Sequence, residues 1–328
     1  MISSHIRVRG LRKTYGSAVA VDHLDLDVHT GEIVGLLGPN GAGKSTTLET
    51  VCTLRRPTSG QVRVAGFDVT ADPAAVRARI GTVLQAAALD PVMTGREALR
   101  LQARLRGLGR AASCAAAEEA LESLEIAERG DARIGTLSGG QRRRVDLAAA
   151  VVGGADVLVL DEPTTGLDPV SRRGLWAHLR RLADDGAAIL LSTQDLQEAE
   201  VLADRLVVLR AGRTVADAPI AELTASVGSA ALVLDLAGTA AAQAAVAVAV
   251  ERGLHAALDP TDDTAAPVRV RVRLGASADG ELAAGYLGAL AASGVQVERF
   301  ALDTPSLDDV YVHLTSDTQP DAALVETR

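Results

Sequence analysis

The residues best suited to chemistry lie in a glycine-rich turn, Gly38-Pro39-Asn40-Gly41-Ala42-Gly43-Lys44-Ser45-Thr46, between the apolar run Ile33–Leu37 and a helix-like stretch. The turn fits the pattern G-x-x-x-x-G-K-[ST] in its required setting, after a strand and before a helix. Its glycines let backbone N–H groups and the helix N-terminus converge on phosphate oxygens, Lys44 adds a full positive charge, and the Ser45 hydroxyl can ligate Mg²⁺. The chemistry implied is capture of a nucleoside triphosphate with Mg²⁺. A second candidate is the apolar run Val157–Leu160 ending in Asp161 and Glu162, two carboxylates placed where α/β sheets bind ligands. There Asp161 can hold Mg²⁺ through water, and Glu162 can polarise an attacking water as general base.

Between these elements lies Leu137-Ser138-Gly139-Gly140-Gln141, which leads into helical register from Arg142 to Ala150. This segment resembles the signature sequence of the ATP-binding cassette (ABC) family. The resemblance implies that the triphosphate is ATP and that a second ATP-binding subunit, in a homodimer or heterodimer, has its nucleotide covered by Ser138, Gly139, Gly140 and Gln141. A helix start carrying a hydroxyl and two glycine N–H groups suits an anion. Further positions resemble the family one at a time. Tyr15 resembles the aromatic that stacks on adenine, Gln85 the glutamine that senses Mg²⁺, and Gly166-Leu167-Asp168 the loop through which two subunits communicate. One position departs from the pattern: where the family has a histidine touching the γ-phosphate, this chain reads Ser192-Thr193-Gln194-Asp195. Gln194 can donate an amide hydrogen bond but cannot carry charge or transfer a proton. Intact ATP binding with slow turnover is the expectation, Glu162 still acting. The run Thr304–Tyr311 resembles the C-terminal motif of daunorubicin-type drug-resistance ATP-binding subunits, in which cassette and membrane permease are separate polypeptides. That implies an ATPase powering export through an integral membrane permease, of drugs or other hydrophobic compounds. Arg142, Arg143 and Arg144 read as a solvated helix face.

The elements that must position these residues are apolar runs alternating with helix-like stretches from Glu32 to Leu209, the pattern of buried parallel strands with crossovers. A chain of 328 residues divides more readily into two domains than one. We expect an α/β P-loop ABC-type nucleotide-binding domain over 1–220, with a helical insertion at about 86–136 rich in Ala, Leu, Arg and Glu. Its Ala, Leu and Arg residues from Thr94 to Ile134 are expected to dock a partner. A small α+β domain over 221–316 reads as strand, helix, strand, strand, helix, strand, the order of a split βαβ, ferredoxin-like unit. A polar tail at 317–328 is expected to fray. The net charge of −9 and the 2% aromatic content argue against nucleic acid as a partner. Cys52 and Cys114 are too few for a disulfide framework, which fits a reducing, cytoplasmic setting. Apolar runs are interrupted by Asp146 and Asp156, or by Asp235 and Gln243, so none reaches the ~20 residues of a membrane span. The expected place is the inner face of the cell membrane, bound peripherally to the permease. Two other classes stay open: a cassette acting on ribosomes or DNA, and an ATP-gated sensor of slow turnover.

Overall fold

The computed structural model describes residues 4–84, 89–227, 230–258, 268–275 and 280–315. Gln85, the start of the expected helical insertion and the tail beyond 315 lie outside the described residues. The chain divides into two compact units, Met1–Ile220 and Ala221–Arg328.

The first unit is organised by a six-stranded sheet of order β10-β9-β3-β8-β7-β6. Its parallel strands are β3 (Ile33–Leu37), β6 (Ile80–Val83), β7 (Val157–Asp161), β8 (Ala188–Thr193) and β9 (Arg205–Arg210), and β10 (Arg213–Pro219) runs antiparallel along β9. Every residue of β3, β7 and β8 is buried. Continuous aliphatic runs form such strands because both faces are covered, and each fully buried Val, Leu or Ile contributes about 1.5–3 kcal/mol of transfer free energy. Period-two alternation sends Val34, Leu36, Val157, Val159 and Leu190 to one core, shared with α1 (Lys44–Val51). It sends Leu158, Leu160, Ile189 and Leu191 to the other, against α5 (Gly139–Val151) and α6 (Pro169–Asp184). A short α7 (Leu196–Leu202) leads from β8 to β9.

An antiparallel sheet that the sequence pattern did not lead us to expect covers the first of these cores. It has the order β2-β1-β4-β5, from β1 (Ser4–Tyr15), β2 (Ala18–His29), β4 (Ser59–Val64) and β5 (Phe67–Asp68), with α2 (Pro73–Arg79) following. Ile6, Val8, Leu11, Val21, Leu24 and Val62 point inward from it. The helical insertion is an antiparallel pair, α3 (Gly95–Leu105) and α4 (Arg110–Ser123), whose Leu99 and Ala103 join Ala117 and Leu121 in one core. Thr94 and Glu97 form a capping box at the start of α3, satisfying two N–H groups the helix leaves open.

The second unit begins within α8 (Ile220–Val227). Its elements are β11 (Ala230–Leu236), α9 (Thr239–Glu251), β12 (Ala256–Leu258), β13 (Val268–Gly275), α10 (Gly280–Ala292), β14 (Val297–Asp303) and α11 (Leu307–Thr315). The strands form an antiparallel sheet of order β12-β13-β11-β14, the expected split βαβ arrangement. Its own core joins Leu232, Leu234 and Leu236 to Ala242, Ala245, Val270, Val272 and Leu290. Buried Tyr286 keeps its hydroxyl satisfied by donating to the Ala245 carbonyl at 2.7 Å. Among the described residues no helix is long and apolar enough to cross a membrane.

Candidate active site

Neighbouring strands β3, β8 and β7 end together, with Leu37 beside Thr193 and Asp161 beside Ser192. The glycine turn, Glu162 and Gln194 therefore leave the sheet at one edge. In the turn, Gly38 and Gly43 have φ of 156° and 105°, and a β-carbon on either would lie 2.4 Å from the Leu209 carbonyl oxygen or 2.6 Å from that of Ala20. No other residue fits there. The Lys44 Nζ donates to the Gly38 and Pro39 carbonyls at 2.5 and 3.1 Å. Burial pushes this ammonium's pKa down, and the charges of Glu162 and Asp161 oppose that shift, which places both carboxylates within its electrostatic reach. Ser45 is exposed and Thr46 half-buried.

Asp161 is buried and accepts the Ser192 hydroxyl on Oδ1. Glu162 stands at φ 45°, a left-handed conformation that costs an L-residue with a side chain about 1–2 kcal/mol. It is held from both sides. The Gln194 amide donates to its Oε1 and the Thr165 hydroxyl to its Oε2 at 3.2 Å, so both carboxylate oxygens have donors. From the backbone side, Arg143 donates Nε to the Pro163 carbonyl at 2.6 Å and Nη2 to those of Glu162 and Asp161 at 3.0 and 3.1 Å. The expectation that the arginine run is a solvated face fails at Arg143: burial lowers its pKa, and its guanidinium clamps the loop that carries the two acids.

Ser138 caps α5 in a reciprocal box with Gln141, accepting from the Gln141 N–H at 3.3 Å while Gln141 Oε1 accepts the Ser138 N–H at 3.1 Å. This box leaves the Gly139 and Gly140 N–H groups as the first-turn donors without helical acceptors. Ser138, Gly140 and Gln141 line a cleft of 600 Å³ with Arg129, Arg144 and Ser171, and no residue of the glycine turn borders it. Asp168 caps α6, accepting the Val170 and Ser171 N–H groups at 3.0 Å and the Ser171 hydroxyl at 2.6 Å, and these bonds lower its pKa, the Ser171 hydroxyl most. The same Ser171 packs on Gly140, where a β-carbon would approach its Oγ to 2.6 Å. Arg172 pairs with Asp195 at 2.6 Å, joining α6 to the loop that carries Gln194. Tyr15 is 44% exposed, with the Lys13 ammonium 5.1 Å from its ring centre, so one aromatic face is open to a planar group.

Comparison with known proteins agrees with this geometry. The family model described as ABC transporter matches residues 21–165. A daunorubicin resistance ATP-binding protein, DrrA3 of Streptomyces coeruleorubidus, is 42% identical over 97% of this chain and 98% of its own length. The chain belongs to the ABC transporter family. This cassette is also 37% identical to the doxorubicin resistance ATP-binding protein DrrA of Mycobacterium tuberculosis (strain ATCC 25618 / H37Rv), over 94% of this chain and 93% of that protein. Among solved structures it resembles the dimeric bacterial ABC transporter cassette MJ0796, with a TM-score of 0.60 and 27% identity over 65% of this chain and 98% of that one. The same cassette bound to ADP and Pi in a post-hydrolysis state gives 0.61 at 26% identity, with the same coverage. The cassette is an ATPase, the ATP-binding subunit of an exporter. The ribosome- or DNA-associated alternative is not favoured.

Pattern alone does not single out Arg143, Ser192 or Thr165 in the cassette's site. Helical spacing is the signal that finds the first, since Arg143, Leu147 and Ala150 share a face and the last two are buried. Ser192 and Thr165 become visible only once β7 and β8 are known to be neighbours.

Proposed function

We propose that this cassette binds Mg-ATP at Gly38–Thr46, hydrolyses it with Glu162 as general base, and drives export through a separate membrane permease from the inner face of the cell membrane. The observation that carries the reading is the convergence of Lys44, Asp161 and Glu162 at one sheet edge, with the Glu162 carboxylate already oriented by Gln194 and Thr165. The donor set suits Mg²⁺. Ser45 offers a hydroxyl and Asp161 retains Oδ2, and among the described residues no cluster of three or more metal-binding side chains competes. One or two protein oxygens completed by phosphate and water is the usual Mg²⁺ site, with Gln85 a further ligand on the family pattern. Mg²⁺ bound there would neutralise charge on the phosphates. The turn's N–H groups and Lys44 bind and orient the triphosphate, and Tyr15 stacks on the base. Glu162 takes a proton from water as its oxygen bonds to the γ-phosphorus and the bond to the β-phosphate oxygen breaks, giving ADP and phosphate.

Because Ser138, Gly140 and Gln141 border a cleft apart from the glycine turn, this helix start, with the open N–H groups of Gly139 and Gly140, serves the nucleotide of a second ATP-binding subunit. Asp168 and Ser171 brace that helix start. For the permease we assign the 380 Å³ groove lined by Leu54, Leu84, Leu89, Leu105, Arg77 and Arg106, where Leu54 and Leu105 are 56% and 71% exposed. Its relatives' names point to drugs or other hydrophobic compounds as cargo. The test is two variants. Lys44→Ala should abolish ATP binding, and Glu162→Gln with Mg-ATP should bring two copies together in light scattering. Retained affinity in the first, or monomers throughout in the second, would sink the reading.

A further inference from the structure

The edge strand β14 of the C-terminal unit has a sequence complementary to itself. It is the last strand of its sheet, paired with β11 on one side only, and all its residues after Val297 are exposed. Opposite residues of an antiparallel pair share a face. Phe300 and Leu302 lie beside Leu234 and Leu232, so they extend the core face of the sheet, yet they are 60% and 46% exposed where those leucines are buried. On the other face Arg299 has no ion partner among the described residues, and Asp303 pairs with Arg271 at 2.6 Å in an exposed bridge. A free edge presents unpaired N–H and C=O groups to another strand; β14 bulges at Glu298, where its register with β11 shifts, but from Arg299 to Asp303 it is regular and carries neither lysine nor proline.

We propose that β14 is a contact between two copies of this chain, formed by antiparallel pairing of β14 with β14 about a two-fold axis at Ala301. In that register Arg299 faces Asp303 of the other copy and Phe300 faces its Leu302. The two Ala301 residues meet on the axis, where a small side chain is needed. The neighbouring two-fold registers, centred on Phe300 or on Leu302, set two copies of a bulky residue on the axis and no longer bring Arg299 opposite Asp303. Pairing β14 with the opposite edge, β12, would leave both outer edges free and propagate without closing, whereas the self-paired edge closes as a dimer. Two four-stranded sheets become one of eight, with Phe300 and Leu302 from both copies covering each other. This association needs no nucleotide and is independent of the ATP-driven pairing proposed above.

The experiment is sedimentation equilibrium of the full chain without nucleotide. The parent is expected to dimerise. Arg299→Asp or Asp303→Arg alone should weaken the dimer about ten-fold through like-charge pairs, Phe300→Ser by at least as much, and the double exchange Arg299→Asp/Asp303→Arg should restore it. Arg271→Ala, which removes only the exposed bridge within one copy, should change nothing. Amide exchange protection of β11 and β13 in each variant reports that the C-terminal unit is folded. A monomeric parent overturns the proposal, as does equal association of all variants. If Glu162→Gln still pairs on adding Mg-ATP in that event, the nucleotide sandwich stands without β14.

Discussion

Replacing Arg143 by methionine isolates what the loop clamp contributes to catalysis. The guanidinium makes three bonds to consecutive carbonyls, at 3.1, 3.0 and 2.6 Å to Asp161, Glu162 and Pro163. Each charge-assisted bond is worth about 1.5–3 kcal/mol. Burying the guanidinium costs several kcal/mol, and the variant recovers this, so the net loss of loop restraint is about 2–3 kcal/mol. Freed of the clamp, Glu162 can leave its left-handed conformation at φ 45°, which is worth about 1–2 kcal/mol on its own. A competent loop disfavoured by 2–3 kcal/mol is populated in roughly one molecule in 30 to 150, and kcat falls by the same factor. Affinity for ATP should stay within about two-fold, because Lys44 and the glycine turn are untouched. Arg143→Lys, a point donor without the planar fork, should fall between. Phosphate release under saturating ATP, together with binding of a fluorescent nucleotide, measures both quantities. A kcat for Arg143→Met within three-fold of the parent would show that the bonds hold the fold but not the base.

Gly140→Ala pushes a β-carbon against Ser171 and costs the Asp168 cap its hydroxyl, about 1 kcal/mol. ATP binding by single chains should be unchanged, while ATP-driven pairing in the Glu162→Gln background weakens about ten-fold in size-exclusion runs. Gln194→Ala removes one donor from the Glu162 carboxylate and should lower kcat about ten-fold. Gln194→His should raise it and add a dependence on pH near ~6.5, and unaltered rates in both variants would dismiss Gln194 as a determinant of turnover. Glu198 is buried with Trp176 Nε1 at 3.2 Å, and burial raises its carboxyl pKa against the bonds from Thr193, Thr164 and Trp176. A carboxyl raised on folding adds stability below its unfolded pKa and loses it as pH climbs through the folded value. The Tm of Glu198→Gln should therefore gain on the parent as pH rises from acid to neutral, by about 2–4 °C per kcal/mol, and a constant offset would refute that assignment.

The site was legible in sequence wherever chemistry is concentrated in a short run. The turn at 38–46, the acids after Val157–Leu160 and the glycines after Ser138 each carry their meaning in adjacent residues. The C-terminal unit was legible too, because its strands and helices alternate cleanly over 230–303. The N-terminal antiparallel sheet escaped. Arg7, Arg9 and Lys13 on β1, and Asp22, Asp25 and Asp27 on β2, give those strands a polar face, and local spacing does not reveal that the other face closes a core shared with β3. Nor does spacing reveal that Gln194 reaches a carboxylate 32 residues earlier. That contact depends on strand order, which is a property of the sheet. Arg143 was hidden by its neighbours, since three consecutive arginines read as solvent-facing until helical phase separates the one that turns inward.

Lys44 is bound by the carbonyls of Gly38 and Pro39, so the curvature of the turn is held by its own side chain. A triphosphate therefore meets a concave surface already shaped, and capture exchanges two short ammonium contacts for phosphate ones without waiting for a loop to order. Recognition at this turn should accordingly be fast and carry a small entropic penalty, leaving slower movements elsewhere in the chain to time the cycle.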